Sequence, residues 1–470
     1  MAVEATIAER PVPPKGRLSF PALLARITRN PVASWGEDFY DQPIVLYRSF
    51  GLDTVFVMDP ELIQTIMLDA IDNFTKSPLY DDVLGAGGGE GLLIAEGEKW
   101  RWQRRLAAPI FRAEEVASYL PTFVANSETL LDRWANAEDR AIQPVGRDMT
   151  NLTLESLLSI LLGSDLIAEE RKTVASESTA FLEPTSWKIA YASLRLPRWM
   201  PHPGRTRMEQ AARALRGVAE RAIAKRRASG NPGSDLMGRL MTAEEPGTGR
   251  IMPNSLIVDN LVTYLLAGHE TTAKALGWTL YLLAMLPEWQ ERVRAEVRDV
   301  TGGGTIGVEH LPKLELLEAV FLEAMRLYPP APSLMRRART ATNLGGVDVR
   351  AGATIVIPIY VLHRHRRLWQ NPLVFDPSRF DQAARAARHR YAHIPFGAGP
   401  RSCIAGSFAM LEAKSMLATL LAGARFVLPP GEAPTPVARI TLSSSPSISL
   451  KVTLLRDRSS WPTVRPGMEP

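Results

Sequence analysis

The 470-residue chain contains one cysteine, and the segment around it constrains the fold more than any other feature. Cys403 stands in Phe396-Gly397-Ala398-Gly399-Pro400-Arg401-Ser402-Cys403-Ile404-Ala405-Gly406, followed by an apolar, helix-forming run from Phe408 to Leu421. Glycine and proline make the approach a tight loop, and the run behind it predicts a helix. A thiolate at that helix mouth would be held by free backbone N–H groups. The same glycines keep side chains clear of anything flat lying against the sulfur. One cysteine rules out an intramolecular disulfide and fits a reducing compartment. Inert packing is the usual role of a lone thiol, but three further segments, far apart in the chain, argue against it.

The length allows one large domain or two to three small ones, and a hydrophobic content of 46% is ordinary for a globular core. Met1 to Lys15 is polar and proline-dotted, without the apolar centre of a signal peptide. The most apolar stretch, Leu256 to Leu286, is interrupted by Asp259, His269, Glu270 and Lys274. It therefore lacks the roughly 18 uncharged residues of a membrane span. The expectation is a soluble, cytoplasmic, monomeric protein whose single catalytic domain fills 1–470, with loosely ordered tails at 1–20 and 457–470. The net charge is +5 and the pI about 9.3. Basic clusters at Arg101–Arg105, Lys225–Arg227, Arg336–Arg339, Arg364–Arg367 and Arg385–Arg390 lack interleaved aromatics and any nucleic-acid-reading motif. They read as solvated surface, or as a patch that docks an acidic protein.

Along the chain, Ile44–Phe50 and Thr54–Met58 read as strands. From Pro60 to Ser229 the pattern is mostly helical, broken at the glycine-rich Gly85–Gly91 and the proline-rich Leu196–Gly204. A phosphate-loop reading of those glycines fails, because no strand precedes them and no Gly-Lys-Ser/Thr follows. A long helix is predicted from about Asn254 to about Met285, capped by Asn254 after Pro253. Helices follow at about Pro287–Val300 and Leu314–Leu327. Strand-like pieces then run through Ile357, and terminal strands lie around Ile440 and at Ser449–Leu454. The fold class is mainly α with a small β-rich lobe.

The long helix carries Ala267-Gly268-His269-Glu270-Thr271-Thr272 in its apolar middle. Glycine and a buried acid are both costly there. Thr271 can bond back to the Ala267 carbonyl, and with Gly268 beside it a local widening is expected, large enough for a diatomic molecule. Glu323 and Arg326 share one face of an apolar helix, and a buried ion pair needs further partners; Arg379 offers itself as the third. Trp100 and Arg104 place an indole N–H and a guanidinium four residues apart, a pairing suited to a buried carboxylate. A lone thiolate facing something flat, with carboxylate-binding donors nearby, suits an iron porphyrin with an axial thiolate.

Four segments, in order and spanning Pro43 to Leu454, resemble the cytochrome P-450 family. The cysteine loop resembles its haem-binding loop, with Ala405 where glycine is commoner. Ala267–Thr272 resembles its oxygen-activating helix, Glu323–Arg326 with Phe375–Phe380 its structural clamp, and Trp100–Arg104 its Trp-x-x-x-Arg. The resemblance implies the cytochrome P-450 fold and haem b (iron protoporphyrin IX) with Cys403 on iron. Thr271 would then hold water and dioxygen while Glu270 relays protons, and Phe396, Gly399, Ala405, Ala267 and Gly268 would border the ring. Trp100, Arg104 and Arg401 would bind the propionates, together with Arg336 or Arg337, a choice that strand register decides. Glu323, Arg326 and Arg379 are assigned to folding. His393 can reach a propionate or pack; His269 can face substrate or turn away; His365 stands where an Asp is frequent.

The implied activity is a monooxygenase acting on a hydrophobic small molecule. Leu265, Leu266, Leu334 and Met335 would line the pocket beneath a Phe181–Trp199 lid, whose Lys188, Tyr191 and Arg195 could meet a carboxylate. No flavin, nicotinamide or ferredoxin fingerprint is present, so electrons would come from a ferredoxin and its reductase, docking near Arg101, Arg105 and Lys414. A peroxygenase, a haem-thiolate isomerase and a non-catalytic gas sensor are the rival readings.

Overall fold

The computed structural model describes residues 11, 13–14, 20–49, 52–137, 141–163, 166–193, 196–197, 199–245, 247–431 and 433–455. The tails expected to be loose fall almost wholly outside these residues. The helices that position the site are α1 (Leu79–Gly88), α2 (Gly97–Ala107), α3 (Val145–Leu162), α4 (Arg205–Ser229), α5 (Asn254–Met285), α6 (Glu315–Leu327) and α7 (Gly406–Gly423). Among the described residues, no helix is long and apolar enough to cross a membrane.

α5 runs through the middle of the core, with α3, α4, α6 and α7 packed around it. A helix apolar on nearly every side is stable only when buried all round, and Leu261, Leu265, Leu276, Leu280 and Leu283 have no exposed surface. Trp278 stacks on Tyr328 at 3.9 Å, and its Nε1 donates to the Leu442 carbonyl. Asn254 is the first helical residue rather than the cap; its side chain accepts from Arg227 and leaves the α5 amides to themselves.

Gly85–Gly91 does not form the expected loop. α1 continues through Gly85, Gly87 and Gly88, and the chain turns only at Gly89, with φ of +50°. The reason is close approach: a Cβ on Gly87 would lie 3.0 Å from Phe181 and 3.3 Å from Leu266. One on Gly91 would lie 2.8 Å from the Asp259 carbonyl oxygen. The glycines let the wall beside α5 lie almost backbone to backbone against it.

The smaller lobe is a five-stranded sheet of β1 (Ile44–Ser49), β2 (Leu52–Val57), β3 (Phe74–Lys76), β4 (Leu334–Ala338) and β5 (Thr354–Ile357) in the order β1-β2-β5-β4-β3. The β2–β5 pair is parallel and the others antiparallel. Val55, Val57, Ile355 and Ile357 give the lobe its own core. Near the carboxyl end, Ile440 sits in the turn between Thr435–Ala438 and Leu442–Ser445 instead of in a strand. The solvated-surface reading of the basic clusters fails for Arg226 and Arg364, both buried and bonded to backbone carbonyls.

The clamp ties α6 to the chain that approaches the cysteine loop. Arg326 has no exposed surface; it grips Glu323 at 2.6 and 2.7 Å and donates to the carbonyls of His363, Pro372 and Val374. Arg379 Nε stands 3.6 Å from Glu323, whose Oε1 also accepts the Asp376 amide. Removing one partner would strand a buried charge. Arg326→Ala is therefore expected to lower the unfolding free energy by about 3–5 kcal/mol in a denaturant titration, and Glu323→Leu with Arg326→Met to cost less than that single change.

Candidate active site

The cysteine loop closes on itself: the Cys403 amide donates to the Phe396 carbonyl at 2.8 Å. Gly397 and Gly399 take φ of +70° and +67°, which side chains disfavour. Gly399 has a second reason to be glycine, since a Cβ there would lie 2.2 Å from the Met67 carbonyl oxygen. The thiol is accessible, yet enough protein surrounds it that burial raises its pKa. The two observations agree if the sulfur faces an internal cleft rather than bulk water. The Ala405 amide and the Arg104 guanidinium pull the other way and favour the thiolate.

α5 presents a second accessible surface. Tyr264, Ala267, Gly268 and Thr271 keep accessible surface in a helix otherwise mostly buried, and their spacing is that of one helix face. Arg104 lies within electrostatic reach of both Cys403 and Tyr264, which brings this face and the cysteine loop to one arginine. Thr271 Oγ1 donates to the Ala267 carbonyl at 2.9 Å, as its spacing predicts. The widening expected from that bond is not there: α5 is α-helical throughout. Gly268 serves packing, because a Cβ would lie 2.9 Å from Leu157 of α3. His269 turns away, buried and kept neutral by that burial, with Nδ1 on the Leu265 carbonyl.

A cluster of cations gathers at the start of α2. Arg401 makes a two-pronged ion pair with Glu96 and lies 4.7 Å over the Trp100 ring. Lys76 Nζ donates to the Leu92 and Ala95 carbonyls at 3.0 Å, and its amide donates to Glu96 at 2.8 Å. The β3–β4 register sets Lys76 directly opposite Arg336, a like-charge pair that costs stability unless an anion intervenes. Strand alternation turns Arg336 inward and leaves Arg337 exposed, which decides between them. Burial and the charge of Arg401, helped by Arg336 and Arg104, pull the Lys76 pKa down to about 7 against the attraction of Glu96. Arg104 itself donates to the Ser402 carbonyl at 2.8 Å.

Lys76, Arg336 and Arg401 thus share the Glu96 carboxylate, with Arg104 within electrostatic reach of Lys76, and Arg401 Nε has no hydrogen-bond partner among the described residues. Such a surplus fits a ligand that brings carboxylates of its own. With a deep, accessible thiol held by an amide and a guanidinium, the donor set fits an iron porphyrin bearing two propionates. The comparisons with known proteins agree. Residues 22–452 match the family description Cytochrome P450. The chain belongs to the cytochrome P450 family.

The cyclooctat-9-en-7-ol 5-monooxygenase of Streptomyces melanosporofaciens is 32% identical over 372 residues, 79% of this chain and 80% of that one. The cytokinin hydroxylase of Arabidopsis thaliana is 33% identical over 367 residues, covering 75% and 70%. Among solved structures, the cytochrome P450DA heme domain shares the fold with a TM-score of 0.78, over 88% of this chain and 90% of that one, at 24% identity. The chain is a cytochrome P450 monooxygenase, mainly helical with small β-sheets, and the family implies a haem cofactor.

Other sequence-predicted residues of this cytochrome P450 lie elsewhere. His393 packs between His363, at 4.8 Å, and Phe380, at 4.6 Å, the second of the roles open to it. Burial, with the neighbouring positive charges, holds both imidazoles neutral. Leu265 has no exposed surface and belongs to the core, so it drops out of the pocket; Leu266, Leu334 and Met335 keep some. Lys414 is buried against Glu318 at 2.8 Å and cannot serve as a docking cation, while Arg101 and Arg105 already pair with acids. His365 is buried, its pKa lowered by that burial, with Nε2 on the Gln42 carbonyl. In the lid, Tyr191 bonds the Pro201 carbonyl, Lys188 lies near Asp82 and Glu209, and Arg195 falls outside the described residues.

Three residues escaped the sequence reading. Lys76 and Glu96 carry no motif of their own, and only the strand register joins them to Arg336. Glu412 left a signal, an acid inside the apolar Phe408–Leu421 run; it is buried against Thr272, and burial pushes its pKa up to about 8. For Lys76 the sign of the linkage is definite. The unfolded chain keeps the ammonium protonated to pH 10.5 while the folded chain sheds it near 7. Haem-free wild type should therefore gain stability over Lys76→Met by about 1.4 kcal/mol per pH unit between those values. Unfolding both proteins across that range, without and then with haem, checks the slope and its loss on loading.

Proposed function

We propose that this cytochrome P450 hydroxylates a hydrophobic small organic molecule in the cleft between Cys403 and Thr271, with electrons from a separate protein donor. Cys403 would hold the haem iron, and the cofactor would supply reductive activation of dioxygen, which thiolate donation favours. The observation that carries this reading is the thiol itself, accessible yet deep, opposite the accessible face of α5.

The chain's own residues have separable duties. Trp100, Arg104, Arg336, Arg401 and Lys76 bind the two carboxylates and fix the ring's orientation. Phe396, Gly399 and Ala405 would border the ring on the side of the cysteine loop and Ala267 on the side of α5, where Gly268 lets the helix pack closely on Leu157. The Thr271 hydroxyl donates its proton to the Ala267 carbonyl, which leaves its oxygen lone pairs free towards the cleft; on breaking that bond it can give the proton to the cleft, and Glu270 replaces it. Leu266, Leu334 and Met335 offer apolar contact, which excludes water and selects an apolar substrate. A relative named for cyclooctat-9-en-7-ol and another named for 11-oxo-beta-amyrin are in keeping with that class. Electrons from a ferredoxin and its reductase fit a chain without a flavin or nicotinamide fingerprint.

Two measurements test this. The reduced protein under carbon monoxide should show a strongly red-shifted Soret band that Cys403→Ser abolishes; a histidine-type band in folded wild type would remove Cys403 as ligand. Thr271→Ala should keep that band while lowering product formed per reductant by about tenfold or more and releasing peroxide. Product at the wild-type yield would end the role given to Thr271.

A further inference from the structure

Lys274 follows Glu270 by one helical turn in α5, and its Nζ lies 3.8 Å from Glu270 Oε1. The two side chains are only 23% and 19% exposed, and Ala273 and Ala275 beside the lysine are buried. An ammonium held so far out of water costs free energy that a surface lysine does not. An acid preceding a lysine by four residues is the favourable orientation for a helical pair, and partial burial strengthens it. At 3.8 Å the contact is longer than a hydrogen bond. Charge alone holds it, so the carboxylate can turn towards Thr271, one residue on, without breaking a fixed N–H···O bond.

The neighbouring elements leave Glu270 to this lysine. α3 presents Leu157 to Gly268 and the Thr153 hydroxyl to the His269 carbonyl, neither of them charged. α7 presents Glu412 to Thr272, and α4 commits Arg216 to Asp259, three turns earlier. His269, which feels both charges, is kept neutral by burial.

We propose that Lys274 is the positioning residue for Glu270, holding its carboxylate at the edge of the cleft between successive proton deliveries to Thr271. This rests on the reading of Glu270 as the proton carrier. The test measures product formed per reductant consumed by the haem-loaded protein, with its donor supplied, for Lys274→Met, Lys274→Arg, Glu270→Gln and the Glu270→Gln/Lys274→Met double variant. Thermal unfolding and the carbon monoxide band of each report on the fold. Lys274→Met should lower coupled turnover about threefold, Lys274→Arg should restore it, and the double variant should match Glu270→Gln. An equal loss from Lys274→Met in both backgrounds would show a packing effect and overturn the proposal, as would no loss in either. If Glu270→Gln alone leaves coupling intact, the proton-carrier reading itself has failed, and the role of Lys274 falls with it.

Discussion

The Glu323–Arg326 pair is the constraint on which the rest of the site depends. A guanidinium with no exposed surface must have its donors met, and a single carboxylate cannot meet them. Arg326 finds the remainder on the carbonyls of His363, Pro372 and Val374, so the pair fixes the course of the chain that leads to the cysteine loop. That course is fastened again where the Ile394 amide donates to His363 Nε2 at 3.0 Å, shortly before Phe396. Desolvation consumes much of what such an ion pair gains. Its value to the molecule is register: it decides where Cys403 stands relative to α5.

Two clusters in this protein, one buried around Glu323 and one partly exposed around Glu96, each set several cations around one carboxylate, and they differ in how the surplus is handled. Around Glu323 the extra charge sits on guanidiniums, and Arg388 spreads its own over the Trp369 and Phe380 rings at 4.3 and 4.9 Å. There each guanidinium has the Glu323 carboxylate or an aromatic ring beside it. Around Glu96 one of the cations is an ammonium, and Lys76 can shed its proton near neutral pH, which a guanidinium cannot do. An adjustable cation suits a site that must fold before its carboxylate ligand arrives and tighten afterwards. In the haem-binding role proposed for this cluster, Lys76 would be neutral without haem and charged beside a carboxylate ligand.

Much of this was legible in the sequence because it depended on local pattern. The span of α5 followed from its apolar run, and Thr271 from its i−4 relation to Ala267. The cysteine loop followed from glycines that only a sharp turn explains, and the clamp from an acid and a base too deep in an apolar helix to be surface. What escaped depended on contacts between distant segments. Nothing in Gly85–Gly91 alone says that Phe181, Leu266 and Asp259 will press against those glycines and keep α1 helical. Arg336 could be separated from Arg337 only by the strand register, and the same register brought in Lys76. Lys414 read as a surface cation because Glu318, its partner, lies 96 residues earlier.

Glu412 shows why neutrality can matter as much as charge here. It lies on α7, the helix whose mouth holds the thiol, and Thr272 bonds it from the buried side of α5. An ionised carboxylate there would lie in the core with only the Thr272 hydroxyl to meet it, and burial disfavours it by raising the pKa to about 8. The consecutive hydroxyls of Thr271 and Thr272 consequently meet different environments, one beside the cleft and the other against a protonated acid. Acids placed in unlike surroundings divide the work of proton holding and proton transfer. On α5 the proposed proton carrier is Glu270, which lies beside Lys274, while Glu412 stays neutral in the core.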